Sequence, residues 1–190
     1  MGGTNLTMRH SKPNVTIFAD ASHDHKARVA GWGAWIKADG RSSITCGAAM
    51  KGTVASATEA ELCALANALT VARLRGVLSQ RSVVMMQSDC IVALAILRSK
   101  IPDVEDRPAP GGLAVDPIRR MKLTKVQLAA VDVVREIVSA FEISIVTRHV
   151  RGHQPGGGRQ WVNAAVDQIA RQAMRHRRWK IASPATPPGD

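Results

Sequence analysis

The chain has 190 residues, 45% of them hydrophobic, which is enough apolar material for the core of one domain of ordinary size. Its 26 Lys and Arg against 15 Asp and Glu give a formal net charge of +11 and a sequence pI near 10.6, the imbalance of a protein whose partner is a polyanion, nucleic acid before an anionic membrane surface. No apolar run reaches the roughly 18 residues of a membrane span, and the start MGGTNLTMRHSKPN lacks a signal-peptide core, so a soluble, cytoplasmic, monomeric protein is expected, with no membrane partner and no small-molecule cofactor.

The polar residues 1–13 and the proline-rich residues 180–190 are expected to be disordered tails around one folded domain, 14–179. Three strand-like segments open it: VTIFADAS from Val15, RVAGWGAWIK from Arg28 and SSITCGAAMKG from Ser42, an antiparallel meander with a turn at Ala38-Asp39-Gly40-Arg41. A helix follows from Ser56 to about Arg75, with Leu62, Leu65, Ala66, Leu69 and Ala72 at helical spacing and Gly76 where a helix ends. SVVMMQ from Ser82 is a strand buried on both faces, ended by Asp89, and a short helix runs from Cys90 to about Ser99.

Residues Ile101 to Pro117 are rich in proline and glycine and are expected to be a surface loop. A helix from about Leu123 to Phe141, the strand EISIVTRHV, the glycine-rich loop GHQPGGGRQ and a last helix from Trp161 to about Arg178 complete the order. Such an order describes an α/β sheet with helices packed on its faces. Cys46, Cys63 and Cys90 are odd in number, far apart and outside any CxxC spacing, so they are expected to be small core residues rather than disulfides or zinc ligands.

Two magnesium ions a few ångströms apart activate a water and stabilise a leaving oxygen in phosphoryl transfer, and such hard cations need oxygen ligands gathered from several elements. Asp20 closes the first strand on the face of Thr16 and Phe18, where the alternation puts a core residue; a charge there is costly unless paired or metal-bound, the alternative being a solvent-facing loop aspartate. Glu59 and Glu61 flank the next apolar stripe equally, but Ser56 followed by Glu59 makes an S-x-x-E capping box, which gives Glu59 a structural task and leaves Glu61 as the ligand candidate. Asp89 stands at a strand's carboxyl end, where open α/β sheets place their sites, and reads equally well as a helix N-cap. Asp167 interrupts an amphipathic helix one turn after Asn163, and alone it reads as part of a solvated face.

The segments TIFADAS, AGWGAWI, ATEAELCALANAL, MMQSDC and VRGHQPGGGRQWVNAAVDQIARQA, spanning Asn14 to about His176, together resemble the type 1 ribonuclease H family. The resemblance implies a ribonuclease H-like fold, a five-stranded mixed sheet of antiparallel meander plus parallel strands with helices on both faces. It also implies an endonuclease that cuts the RNA strand of RNA·DNA hybrids with two Mg2+ ions, Mn2+ being a possible substitute, and leaves 5′-phosphate and 3′-hydroxyl ends. Its acidic ligands fall on Asp20, Glu61, Asp89 and Asp167, and its proton-shuttling loop histidine on His153, beside Gly156, Gly157 and Gly158.

Substrate contacts implied by the resemblance fall on Ser22, Ser56 and Asn163, with a basic protrusion at Arg119, Arg120 and Lys122. A second basic cluster is Arg171, Arg175, Arg177, Arg178 and Lys180, with Trp179 placed to touch nucleic acid, while Trp32 and Trp35 are expected in the core. Where many members carry two asparagines and a glutamine that contact the RNA strand, this chain has Ala57, Thr58 and Ile91. Their loss leaves open a nuclease of the same fold acting on DNA, because contacts to RNA sugars are what discriminate the strands. A catalytically silent nucleic-acid-binding module is the third reading, disfavoured because four carboxylates near phosphate repel it unless a cation is held between them.

Overall fold

The computed structural model describes residues 12–106, 118, 120–150 and 160–182. The expected tails up to residue 11 and from residue 183, most of the proline-rich loop, Arg119, His153 and Gly156, Gly157 and Gly158 lie outside the described residues.

Among the described residues ten elements follow one another: β1 (Val15–Asp24), β2 (Val29–Ala38), β3 (Ile44–Ala49), α1 (Ala57–Leu74), β4 (Val83–Ser88), α2 (Ile91–Lys100), β5 (Val104–Asp106), then α3 (Lys125–Phe141), β6 (Ser144–His149) and α4 (Gln160–Ala182). They build a mixed sheet in the order β3-β2-β1-β4-β6-β5. The meander β3-β2-β1 is antiparallel, and β1, β4, β6 and β5 run parallel.

The sheet therefore has six strands where five were expected. The additional strand, β5, is three residues long and lies inside the segment read as loop. Three residues are too few to carry an alternation, and β5 exists because β6 offers it an edge, pairing Val104 with Ile145 and Asp106 with Thr147. The last helix also runs to Ala182, past the expected boundary at Trp179.

Capping fixes where the helices begin. Ser56 Oγ accepts the Glu59 N–H at 3.2 Å at the start of α1, and Thr124 forms a full capping box with Gln127 at the start of α3. Behind α1, Gly76 takes a positive φ of 62° that ends the helix, and behind α3 Glu142 takes φ 49°, which delays β6 to Ser144.

Period-two alternation sorts the two layers. Val15, Ile17, Trp32, Ala34, Ile36, Val84 and Met86 face the main core, which α1, α2 and α3 close with Leu62, Leu65, Leu69, Leu94, Leu97, Val134 and Ile137. On the opposite face Phe18 packs with Val162 and Val166 of α4, flanked by Trp35. Trp32 is thus a core residue as expected, and Trp35 joins the smaller cluster, its ring edge-on to Trp161 at 6.2 Å between centroids. The three cysteines are free and half-buried, packed against the main core. No helix among the described residues is long and apolar enough to cross a membrane.

A glycine cradle sets the height of α4 above the sheet. A Cβ on Gly33 would lie 2.3 Å from the Val166 carbonyl oxygen, one on Gly31 2.3 Å from the Met174 amide nitrogen, and one on Gly47 2.3 Å from the Ile169 side chain. With side chains absent at these points the helix backbone settles onto β2, which carries its carboxylate towards β1.

Candidate active site

Three chain segments deliver carboxyl groups to one end of the parallel strands. Asp20 comes from β1, opposite Gly33 of β2; Glu61 projects from the second turn of α1; Asp89 follows the last residue of β4. One ligand atom from each lies within 4.8 Å of the others. Asp20 and Glu61 are buried, at 8% and 9% exposure, and Asp89 is half-buried.

The backbone holds this cluster in place. The Ala21 N–H donates to Asp20 Oδ1 at 2.8 Å and to Glu61 Oε1 at 3.3 Å, while the Ser88 hydroxyl donates to Glu61 Oε2 at 3.5 Å and accepts the Cys90 N–H at 3.0 Å. His149 Nε2 lies 3.1 Å from the Asp89 carbonyl oxygen, and the Val150 N–H donates to the Ser88 carbonyl at 3.1 Å, joining the ends of β6 and β4.

Asp89 is not a helix cap: α2 begins after Cys90 with no side-chain capping bond. Glu59, the rejected alternative to Glu61, has the structural task assigned to it in a different form. Its carboxyl group accepts the Ala55 N–H and the Thr124 hydroxyl, each at 2.5 Å, so it ties the start of α1 to the start of α3.

Burial and crowding raise the pKa values of the site's carboxyl groups. Asp20 is pushed up to about 6, by burial first, then by Asp89 and Asp167, against the Ala21 N–H that lowers it. Glu61 is pushed up to about 9, by burial first, then by Asp20 and Asp89. Three carboxyl groups this close are mutually repulsive when ionised, and oxygen donors gathered from three segments suit a hard divalent cation. The donor set therefore fits Mg2+ or Mn2+.

Asp167 stands beside this cluster rather than in it. Its Oδ1 accepts from Arg171 Nε at 2.7 Å, with side-chain exposures of 23% for the aspartate and 49% for the arginine, yet its charge is felt by Asp20.

The RNase H family model matches residues 12–175. The chain belongs to the RNase H family. Among solved structures, an N-terminal RNase H domain from Mycobacterium tuberculosis, solved as a maltose-binding-protein fusion, is similar with a TM-score of 0.57 at 19% identity, covering 90% of this chain and 99% of that one. RNase H1 of the halophilic archaeon Halobacterium salinarum gives 0.55 at 16% identity, covering 85% and 98%. A compost-derived RNase H1 solved in complex with an RNA/DNA hybrid gives 0.56 at 17% identity, covering 86% and 98%. No curated protein sequence matches the chain significantly.

The remaining expected RNase H residues distribute as follows. Ser22 is half-buried, two residues beyond Asp20 on the same strand, and Ser56 caps α1 with its hydroxyl oxygen. Asn163 lies one turn before Asp167, and its Oδ1 is buried without a hydrogen-bond partner among the described residues. Arg120 and Lys122 are exposed on the segment entering α3. Ala57 and Ile91, which stand where many members have amides, are the first residues of α1 and α2.

Sequence reading missed the supports: the cradle glycines, Ser88, His149 and the Arg171 partner of Asp167. The glycines had a visible signal, since Gly31 and Gly33 alternate along β2 and so face one side of the sheet. Ser88 and His149 make their contacts with residues distant in sequence, whereas Asp167 and Arg171, four apart on α4, stand at the spacing of a helical ion pair that the sequence already shows.

Proposed function

We propose that this chain is a metal-dependent endonuclease that hydrolyses the RNA strand of RNA·DNA hybrids, leaving 5′-phosphate and 3′-hydroxyl ends. The observation that carries the reading is the convergence of Asp20, Glu61 and Asp89 ligand atoms within 4.8 Å, in a chain whose family model spans residues 12–175. Support for the hybrid comes from the similar RNase H1 whose structure contains an RNA/DNA hybrid.

In this reading Asp20, Glu61, Asp89 and Asp167 hold two Mg2+ ions, with Mn2+ as substitute. When bound, such ions supply an activated water and charge stabilisation for an in-line displacement at phosphorus. The protein's own groups orient the rest. The Ala21 N–H fixes the Asp20 and Glu61 carboxyl groups on one donor, and Asp167 turns from Arg171 towards Asp20 to complete the ligand set. His153 moves a proton to or from the attacking water or the product phosphate. Ser22, Ser56 and Asn163 contact the substrate near the cut, and Arg119, Arg120 and Lys122 neutralise phosphates of the DNA strand.

A second reading, cleavage of DNA, is favoured by Ala57, Thr58 and Ile91 in place of amides that would contact RNA. One assay decides. A labelled RNA·DNA hybrid, a DNA duplex and a branched DNA are incubated with the chain, with and without Mg2+, and the products are resolved on a gel. Magnesium-dependent cuts in the RNA strand are expected; preference for either DNA form would defeat the hybrid reading, and no cleavage of any substrate would leave a binding module.

A further inference from the structure

The region matched by the RNase H family model ends at residue 175, but α4 continues to Ala182. The added turns carry His176, Arg177, Arg178, Trp179 and Lys180, which extend past the matched region a helix face that begins inside it at Arg171 and Arg175.

Helix geometry tells which way the surface faces. Ile169 meets Gly47 of β3, Ala170 meets Gly33 and Gly31 of β2, and Met174 meets Gly31 from farther round the helix. At about 100° per residue, Asp167, Arg178 and Arg171 follow Met174 on the side towards β1, with Arg175 and Trp179 beyond them on the outer crest. One ion pair agrees with this placement: Arg178 Nη1 lies 3.1 Å from Asp24 Oδ2, at the last residue of β1.

The row Arg171, Arg175, Arg178 therefore begins beside Asp167 and leads away from the carboxyl cluster. Asp167 to Arg178 spans about 16 Å of helix, the axial length of about five base pairs of duplex.

Charge and exposure say what this row meets. Arg171 and Arg178 have acidic partners, yet their side chains stay 49% and 65% exposed. Arg175 and Lys180 are exposed and make no ion pair among the described residues. Trp179 is 64% exposed, with the His176 ring stacked beside it at 6.4 Å between centroids. A face that is only solvated gains nothing from an exposed indole, whereas one that receives nucleic acid does, since a flat ring between basic groups carries sugars and bases.

We propose that the outer flank of α4, from Arg171 through Arg175 and Arg178 to Trp179, is a second nucleic-acid contact that grips the backbone of the RNA·DNA hybrid about five base pairs from the cut. This deepens the hybrid reading and rests on it. Phosphate neutralisation supplies affinity without sequence preference, so the flank sets the length of hybrid the chain engages and the salt dependence of its binding.

The test is fluorescence anisotropy of the full chain with a labelled RNA·DNA hybrid across a salt series, in EDTA so that the substrate stays intact. Arg175→Gln, Arg178→Gln, Asp24→Asn and Trp179→Ala are compared with the unmodified chain. Each lost phosphate contact flattens the plot of log affinity against log salt by about 0.9, and each arginine variant is expected to do so. Trp179→Ala is expected to weaken binding about 5-fold or more at every salt concentration with the slope unchanged. Asp24→Asn breaks the ion pair of Arg178 but keeps its charge, and is expected to keep the slope. An unchanged slope in either arginine variant, unchanged affinity in Trp179→Ala, or an Asp24→Asn variant that behaves like Arg178→Gln would overturn the flank while the nuclease reading stands. An unmodified chain that neither binds nor cuts the hybrid with Mg2+ present would instead sink the hybrid reading itself.

Discussion

Asp20 and Glu61, forty-one positions apart, hang from the same backbone amide: the Ala21 N–H reaches Asp20 Oδ1 at 2.8 Å and Glu61 Oε1 at 3.3 Å. One donor cannot compensate two buried negative charges. The pair relieves the conflict by holding on to protons: the pKa of both groups is raised, that of Asp20 to about 6 and that of Glu61 to about 9. A divalent cation resolves the conflict in the other direction, by making both ionised forms favourable.

The sign of the resulting pH dependence is fixed. Both folded-state values lie above the ordinary 3.8 and 4.5, so the stabilisation from holding these protons is complete below about pH 4 and is lost as pH rises through about 6 and then about 9. Denaturant unfolding of the metal-free chain is expected to show this contribution falling over that window, and added Mg2+ to restore it. Glu61→Gln, which cannot ionise, is expected to flatten the metal-free profile and raise stability on its alkaline side by about 1–3 kcal/mol. A metal-free profile unaffected by Glu61→Gln would remove the basis for this pairing.

Glu59 and Glu61 should separate cleanly by experiment. Glu59 is 1% exposed and bonds the Ala55 N–H and the Thr124 hydroxyl, so Glu59→Ala is expected to cost about 1–3 kcal/mol of stability and to leave cleavage per folded molecule near its original rate. Glu61→Gln is expected to do the reverse, folding well and losing cleavage. Melting curves and single-turnover cleavage of the same two preparations check both halves.

Local signals made these two glutamates legible. Capping chemistry depends only on residues within one turn, and alternation in β1 put Asp20 on the Phe18 face, so neither needed knowledge of the fold. β5 was not legible because its three residues are a strand only beside β6. Nor was the setting of Asp167, whose place beside the cluster follows from how closely α4 lies on β2, a property of the facing glycines. α4 reaches Ala182, a few residues past the expected end near Arg178, and no proline after Gln160 precedes Pro184 to stop it sooner.

Asp89→Asn and Asp167→Asn test the ligand set. Asp89 lies inside the 4.8 Å cluster, and its substitution is expected to cut cleavage by at least about 100-fold and to reduce the heat of Mg2+ binding in calorimetry. Asp167 stands outside it, held by Arg171 at 2.7 Å, so Asp167→Asn is expected to retain ion binding at the other three carboxyl groups while cleavage falls. Equal loss of ion binding in the two variants would mean that Asp167 belongs to the first ion as fully as Asp89 does.

Gly33→Ala should act on the site from behind. The new Cβ would stand 2.3 Å from the Val166 carbonyl and 3.2 Å from the Ala170 amide nitrogen, both backbone atoms that cannot turn aside. The helix must lift, at a cost of about 1–3 kcal/mol by the usual penalty for overpacking, and Asp167 lifts with it. Asp20, Glu61 and Asp89 are delivered by β1, α1 and β4, so their cluster is expected to survive and still bind Mg2+. The expected signature is a folded protein with a lower melting temperature, near-normal ion binding and cleavage reduced to the level of Asp167→Asn. Unimpaired cleavage in Gly33→Ala would show that the height of α4 does not govern the reach of its carboxylate.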